Sequence, residues 1–157
     1  MAADSGVRAE TLDLVQQSSR PGGVASAAAE EAAAAGASVC RGGIDYPHIS
    51  GNSPAPYTIN THLDQDCRVV PSQSSIEGSL YRSRWFGWEH LVSGQDAKAG
   101  KAKWSLFLNK GCTRGDWYKY QATGRFYALV GTTRWSAEFR NENPSEIKCV
   151  SRPGASD

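Results

Sequence analysis

The chain has 157 residues, of which 39% are hydrophobic, and it contains five tryptophans and six tyrosines. A chain of this size can bury one hydrophobic core, so we expect one compact domain plus an appendage. Its formal net charge of +1 excludes a strongly basic nucleic-acid binder. No apolar segment is long enough to span a bilayer, so we expect neither nucleic acid nor membrane among its partners.

The first 39 residues differ in composition from the rest. They carry two arginines against five carboxylates, a net charge of −3, and the remainder carries +4. Alanine fills nine of the fourteen positions from Val24 to Ala37. Alanine favours helix but buries almost nothing, so this tract cannot build a core alone. We therefore predict an N-terminal docking segment over 1–39, flexible when free, and a β-domain over 40–157.

The stretch before the alanine tract has two interpretations. Ser5 or Thr11 could cap a helix that ends at the sequence SRPGG. The stretch is either a disordered leader or a docking peptide that orders on a partner. As a docking peptide it would use bulky anchors and an alanine face, namely Val7, Leu12, Leu14, Val15, Ala28 and Ala32. In either case we expect residues 1–37 to contribute nothing to the domain core.

After Cys40 the apolar residues recur with a period of two, which indicates strands. The strand-like runs are TINTHL, SIEGSLYR, AKWSLFLN, WYKYQATGRFYALV and RWSAEF, separated by segments such as VPSQSS and SGQDAKAGK with turn composition. Trp104, Leu106 and Leu108 are expected to face the core. The pattern predicts an antiparallel, immunoglobulin-like β-sandwich with two disulfides, preceded by an extended or partly helical N-terminal segment.

The four cysteines, Cys40, Cys67, Cys112 and Cys149, lie too far apart for a zinc or redox motif. We predict two disulfides, which imply an oxidising compartment and a secreted, extracellular protein whose export signal has been removed. Three pairings are possible. We favour Cys40 with Cys149 and Cys67 with Cys112, because the first would join the domain ends and the second would cross the middle.

The chain lacks the motifs of common enzymes, such as GxSxG, a phosphate-binding loop or HExxH, so we expect no enzyme and no cofactor. His62, Asp64 and Asp66 alternate in HLDQDC and could hold a metal ion on one strand face. An exposed edge strand gives the same pattern, and we predict no metal site. His48 and His90 have no partner nearby in sequence and are expected to be structural or surface residues.

The stretch YRSRWFGWEHL is a candidate binding surface. Trp85, Phe86 and Trp88 crowd around Gly87, so strand alternation places at least one large aromatic outside the core unless a bulge intervenes. These aromatics either pack between the sheets or form a contact surface, since aromatics are enriched at binding hot spots.

The turn NKGCTRGDW is the second candidate. It presents Lys110 and Arg114 beside Cys112. The turn is either an ordinary solvated turn or a loop whose basic side chain enters the acidic pocket of a trypsin-like partner.

A succession of motifs between Cys40 and Val150 supports a resemblance. These motifs are DYPHIS followed by a Pro-containing turn, an extended segment to Cys67, SLYRSRWFGW, a Gly-Cys turn, a Tyr-rich strand and a late IKC. This part resembles a group of small secreted β-domain proteins of filamentous soil bacteria. With its alanine-bearing N-terminus, the chain is more narrowly similar to the adaptor subunits of umbrella toxin particles, which are secreted antibacterial complexes.

That resemblance implies a non-enzymatic adaptor. The N-terminal segment would bind a large helical-repeat toxin subunit, and the β-domain would bind a lectin-bearing subunit that contains a trypsin-like domain. Two alternatives stay open: a stand-alone secreted binding module, either a protease inhibitor or a carbohydrate binder, and a small hydrolase.

Overall fold

The computed structural model describes residues 9–17, 38–50 and 57–150, and these residues form twelve β-strands. Every pair of neighbouring strands is antiparallel. Over the same residues, the structure has no helix that could span a membrane. The prediction of a mainly β, antiparallel fold with two disulfides is therefore confirmed.

The first sheet is organised around one central strand, β5. Its members are β1 (Ala9–Asp13), β3 (Cys40–Asp45), β4 (His48–Ser50), β5 (Tyr57–Cys67) and β8 (Lys103–Cys112). Strands β3 and β4 pair with successive halves of one edge of β5, and β8 pairs with the other edge. Strand β1 pairs with the outer edge of β3.

The second sheet is built from two long hairpins. Its members, in spatial order, are β2 (Val15–Gln16), β11 (Thr133–Glu142), β10 (Tyr120–Val130), β6 (Gln73–Arg84) and β7 (Gly87–Lys98). A separate two-stranded sheet joins β9 (Trp117–Tyr118) to β12 (Ile147–Lys148). Tyr118 and Ile147 of this small sheet pack against the hydrophobic core.

The two large sheets pack face to face around one hydrophobic core, in a sandwich-like arrangement. Both sheets contribute fully buried side chains, among them Ile44, Leu63, Ile76, Leu80 and Phe126. The sheets approach closely at Gly124, where a Cβ would lie 2.8 Å from Leu63 Cδ2. A larger residue at Gly124 would therefore push the sheets apart.

The predicted strand runs after Cys40 all overlap observed strands. Trp104, Leu106 and Leu108 pack against or within the core, as expected. The sequence SGQDAKAGK does not form the expected turn along its whole length, because Ser93 to Lys98 continue β7. Pairing with β6 along the full hairpin outweighs the weak strand propensity of these residues.

The N-terminal strands belong to both sheets, because the chain crosses between them at Leu14. The Leu14 side chain is fully buried, its backbone N–H donates to Cys40 O at 2.9 Å, and its carbonyl accepts from the Ser38 hydroxyl. The prediction of a helix in this stretch is therefore wrong over residues 9–16, which are extended. The expectation that residues 1–37 contribute nothing to the core is wrong at Leu14. Although this residue precedes Cys40, its side chain lies in the core of the sandwich.

The disulfides join Cys40 to Cys67 and Cys112 to Cys149, so the favoured pairing is wrong. The cause is strand register: Cys40 and Cys67 are direct partners on β3 and β5, with their Cα atoms 4.0 Å apart. The bonds join residues 27 and 37 positions apart in the sequence. In the chain-entropy model each contributes about 3–4 kcal/mol. Two disulfides indicate an oxidising environment.

Peptide mapping without reduction should recover the linked pairs Cys40–Cys67 and Cys112–Cys149. The intact mass should fall by four hydrogens relative to the reduced chain, because two bonds form. Recovery of a peptide that links Cys40 to Cys149 would contradict the register of β3 and β5.

Replacing Leu14 by alanine should lower the free energy of unfolding by about 2–5 kcal/mol, because it leaves a cavity between the sheets. Val15 is the matched control, since its side chain is 64% exposed. Val15→Ala should change the free energy by less than about 1 kcal/mol. Denaturant unfolding of both variants measures the difference, and equal effects would argue against the crossing at Leu14.

Candidate partner-binding surface

The β6–β7 hairpin ends in an exposed aromatic pair. Arg84 pairs with Gly87, so Trp85 and Phe86 form a two-residue turn, and Gly87 has a φ of +125° that favours glycine. Trp85 is 90% exposed and Phe86 is 56% exposed, with their rings perpendicular and the centroids 5.4 Å apart. Trp88 follows on β7 with 37% exposure. Of the two interpretations, packing between the sheets does not apply to Trp85 or Phe86.

Two arginines converge on one carboxylate below this turn. Arg82 Nε donates to Glu89 Oε1 at 2.7 Å and Arg84 Nη1 donates to the same oxygen at 3.1 Å. The hydrogen bond from Arg82 is the main cause that lowers the pKa of the Glu89 carboxyl below its ordinary value. The side chains are partly solvated, so these ion pairs orient the hairpin more than they stabilise the fold.

Another exposed aromatic lies next to the hairpin. Ser83 N–H donates to Lys119 O at 2.8 Å and Lys119 N–H donates to Ser83 Oγ at 3.1 Å, which ties β6 to the segment after β9. On β9, Trp117 is 55% exposed, and Lys148 Nζ lies 5.9 Å from its ring centroid. The sequence analysis did not identify Trp117 or Lys148. In the run WYKY, strand alternation places Trp117 and Tyr118 on opposite faces, and this pattern could have indicated an exposed Trp117.

The basic turn is fixed at the same end of the sandwich. The Cys112–Cys149 disulfide joins its start to the C-terminal part of the chain, and Gly115 N–H donates to Cys149 O at 2.9 Å. Lys110 and Arg114 are both exposed. The turn therefore presents two cations from a backbone that is held covalently.

A cleft of about 240 Å³ lies between the hairpin and the basic turn. Its lining includes Arg82, Glu89, His90, Lys110 and Tyr120. Burial raises the pKa of Tyr120 to about 12, so this phenol stays protonated and adds no negative charge. The structure thus brings two stretches that are separate in sequence to the same end of the sandwich, where both line this cleft. The exposed side chains at this end are called the aromatic–basic surface here, and they are Trp85, Phe86, Trp88, Lys110, Arg114 and Trp117.

The N-terminal strands end at the opposite end of the sandwich. Gln17 N–H donates to Arg134 O near the β10–β11 turn, whereas Arg82 pairs with Tyr120 at the other end of β10. Strand β10 has 11 residues, so the two ends are roughly 30 Å apart. Ser38 lies at the same end of the sandwich as Gln17, because its hydroxyl donates to the carbonyl of Leu14.

The N-terminal candidates for partner binding have different fates. Leu14 is fully buried, so its assignment as a partner contact is wrong: its side chain is part of the core. Leu12 and Val15 are 45% and 64% exposed and remain available. Three further candidates lie outside the described residues, namely Val7, Ala28 and Ala32.

The alternating residues of HLDQDC have partners on the outer face of the first sheet. His62 Nδ1 lies 3.2 Å from Asp45 Oδ2, and Asp64 accepts a hydrogen bond from the Ser105 hydroxyl. Asp66 lies 3.9 Å from a lysine ammonium on β8. In the part of the chain that the structure describes, no group of three or more histidine, cysteine or acidic residues is arranged to hold a metal ion.

The other two histidines make local contacts. His48 Nδ1 lies 2.9 Å from Tyr46 O, and His90 Nε2 lies 2.6 Å from Ser93 Oγ. The Ser93 hydroxyl also lies 2.7 Å from that of Ser79, so it belongs to a polar row on the surface of β6 and β7. Such contacts suit surface histidines.

Comparison with protein-family models, curated proteins and solved structures found no match to this chain.

The Glu89 carboxyl should titrate below its ordinary value of 4.5 in an NMR pH titration. Because the pKa is lowered in the folded state, the ion pairs contribute stability above pH 4.5, and this contribution is lost as the pH falls through the lower value. Arg82→Gln should move the Glu89 midpoint up towards 4.5. Arg125→Gln, on the outer face of the same sheet, should leave it unchanged, and a wild-type midpoint at or above 4.5 would contradict the pairing.

Proposed function

We propose that the protein is a secreted, non-enzymatic adaptor that holds two partner proteins at once. The observation that carries the proposal is the separation of its candidate contacts. The aromatic–basic surface lies at one end of the sandwich, and Gln17 and Ser38, which flank the alanine-bearing segment, lie roughly 30 Å away. Two partners bound at these ends would not compete. The two disulfides support an extracellular location.

The aromatic–basic surface suits a protein partner with a concave, acidic site. Tryptophan and arginine are enriched among residues that dominate binding energy, and Trp85 presents nearly its whole indole to solvent. Lys110 and Arg114 add positive charge at the same end. Given the resemblance to umbrella toxin adaptors, this partner is the lectin-bearing subunit, whose trypsin-like domain would supply an acidic pocket.

The second partner in this proposal is the large helical-repeat toxin subunit. Its contact is the N-terminal segment, whose many alanines permit close approach of another backbone. Among the described residues of this segment, Leu12 and Val15 are exposed enough to add apolar anchors. The immunoglobulin-like type of the sandwich belongs to the same proposal, since that architecture is common in cell-surface binding domains.

Replacing Trp85 and Phe86 together by alanine should weaken binding of the lectin-bearing subunit at least about thirtyfold, the equivalent of about 2 kcal/mol. Binding of the large subunit should not change, because it uses the other end. Phe107 is the matched control: it is 62% exposed but lies on the outer face of the first sheet. Phe107→Ala should bind both subunits as the wild type does, and biolayer interferometry with each subunit measures the effects.

Replacing residues 18–37 by a glycine–serine linker of equal length should have the opposite effect. Binding of the large subunit should weaken, and binding of the lectin-bearing subunit should not change. Charge reversal at Lys110 or Arg114 should act like the double alanine variant, because it opposes an acidic site. If the double alanine variant binds the lectin-bearing subunit like the wild type, the aromatic–basic surface is not its contact. If the linker variant binds the large subunit fully, the N-terminal segment is not needed.

A stand-alone secreted binding module is the second candidate function. The exposed faces of Trp85 and Trp117 favour it, since flat aromatic rings also stack on sugar rings or fill a protease pocket. Purification from a culture medium that contains the secreted protein separates the candidates. Co-elution with two larger chains supports the adaptor, and elution alone supports the binding module. Turnover of a panel of substrates would support the small hydrolase.

A further inference from the structure

We propose that this protein binds an extended segment of a partner protein as an added β-strand, in the groove between β1 and β11. This groove is separate from the aromatic–basic surface, and the proposal does not rest on the adaptor function. The groove has a volume of about 380 Å³ and lies between the edges of the two sheets. Its lining includes Glu10, Leu12, Tyr46, Phe139, Arg140 and Glu142.

One edge of β11 is largely open. Strand β11 pairs with β10 along its whole length, but on the other edge β2 covers only Trp135 and Ser136. From Ala137 to Glu142, that edge has no strand partner among the described residues. An edge of this kind presents unpaired backbone donors and acceptors and is a template for another strand.

The register identifies which backbone groups are open. Gln17 N–H donates to Arg134 O, so the backbone of Arg134 points towards the β2 side. The backbone groups of successive residues point to alternate edges of a strand. Glu138, Arg140 and Glu142 therefore turn their N–H and C=O groups to the open edge, and the residues between them bond to β10.

The groove also exposes side chains that face the core. Leu12 pairs with Gly42, where a Cβ would lie 2.8 Å from the Phe126 ring, so Leu12 is on the core side of β1. Leu14 on the same side is fully buried, yet Leu12 is 45% exposed. Phe139 stacks on Phe126 with the ring centroids 5.4 Å apart and is only partly buried. A strand laid between β1 and β11 would cover both Leu12 and Phe139.

The fold itself indicates what fits in the groove. Strand β2 already makes this pairing with β11, and the added strand would continue it where the chain turns away at Leu14. Only an extended backbone offers alternating donors and acceptors at the right spacing, over about 20 Å for six residues. The interior stays closed beneath it, because Asn141 Nδ2 donates to Ile44 O at 2.9 Å.

The side-chain chemistry of the bound segment follows from the lining. Apolar residues at alternate positions would face Leu12 and Phe139. The rim carries two carboxylates, from Glu10 and Glu142, and one guanidinium, from Arg140. Both carboxylates lie at one end of the groove, because Glu10 pairs with Ile44 and Asn141, the neighbour of Glu142, donates to Ile44 O. A segment with a basic residue at that end therefore has the complementary charge.

The test uses a synthetic peptide, acetyl-Lys-Thr-Val-Thr-Val-Thr-Lys-amide, and the full chain. On saturation with peptide, the amide hydrogens of Glu138, Arg140 and Glu142 should exchange at least about tenfold more slowly, because they gain hydrogen-bond partners. The amides of Ala137 and Phe139 are internal controls and should not change, since they already bond to β10. A peptide that is N-methylated at the alternate residues whose N–H groups would bond to β11 should not slow the exchange of these three amides.

Two variants test the contact directly. Arg140→Pro removes an outward N–H from an edge position that tolerates proline, and it should weaken peptide binding at least about tenfold. Arg140→Lys keeps both the N–H and the positive charge and should bind within about threefold of the wild type. If Arg140→Pro melts well below the wild type, Leu12→Ala replaces it, and loss of the apolar contact should weaken binding about threefold to tenfold.

Three results would overturn the proposal. The first is that millimolar peptide slows none of the three outward amides. The second is that both Arg140→Pro and Leu12→Ala bind the peptide like the wild type. The third is that these amides are already protected in the free protein and lose protection when residues 1–8 are deleted, since the chain itself would then fill the groove.

Discussion

Burial of Leu14 between the sheets is the interaction on which the placement of the N-terminal strands depends. Its backbone is hydrogen-bonded to Cys40 and Ser38, and its side chain is fully enclosed. Because the chain crosses from one sheet to the other at this residue, β1 lies on the first sheet and β2 reaches only a short part of β11. The open groove and the location of Gln17 and Ser38 both follow from this crossing.

The period-two pattern after Cys40 predicted most of the sandwich, since residues such as Trp104 and Leu108 alternate with polar neighbours and pack on the core. Features set by long-range pairing could not be predicted. Strand β1 contains little apolar surface and is held by β3, which is distant in sequence. Likewise, the pairing of Cys40 with Cys67 depends on the register of β3 and β5, which no local pattern encodes.

The candidate surface was partly predictable for a local reason. Three large aromatics around Gly87 cannot all point inwards, and Trp85 and Phe86 are exposed. That Lys110 and Arg114 lie at the same end as this hairpin was not predictable. Their position depends on the Ser83–Lys119 hydrogen bonds and the Cys112–Cys149 disulfide. The groove beside β11 has no sequence signature, since it depends on which of the described strands pair with β11.

The position of the cysteines has a consequence for the N-terminal strands. All four cysteines lie at or after residue 40, so no covalent cross-link holds the first 39 residues to the sandwich. A single proteolytic cut between residues 18 and 37 would leave β1 and β2 in place through noncovalent contacts, chiefly sheet hydrogen bonds and the burial of Leu14. The nicked protein would then be a noncovalent two-chain complex, and its melting temperature would depend on protein concentration.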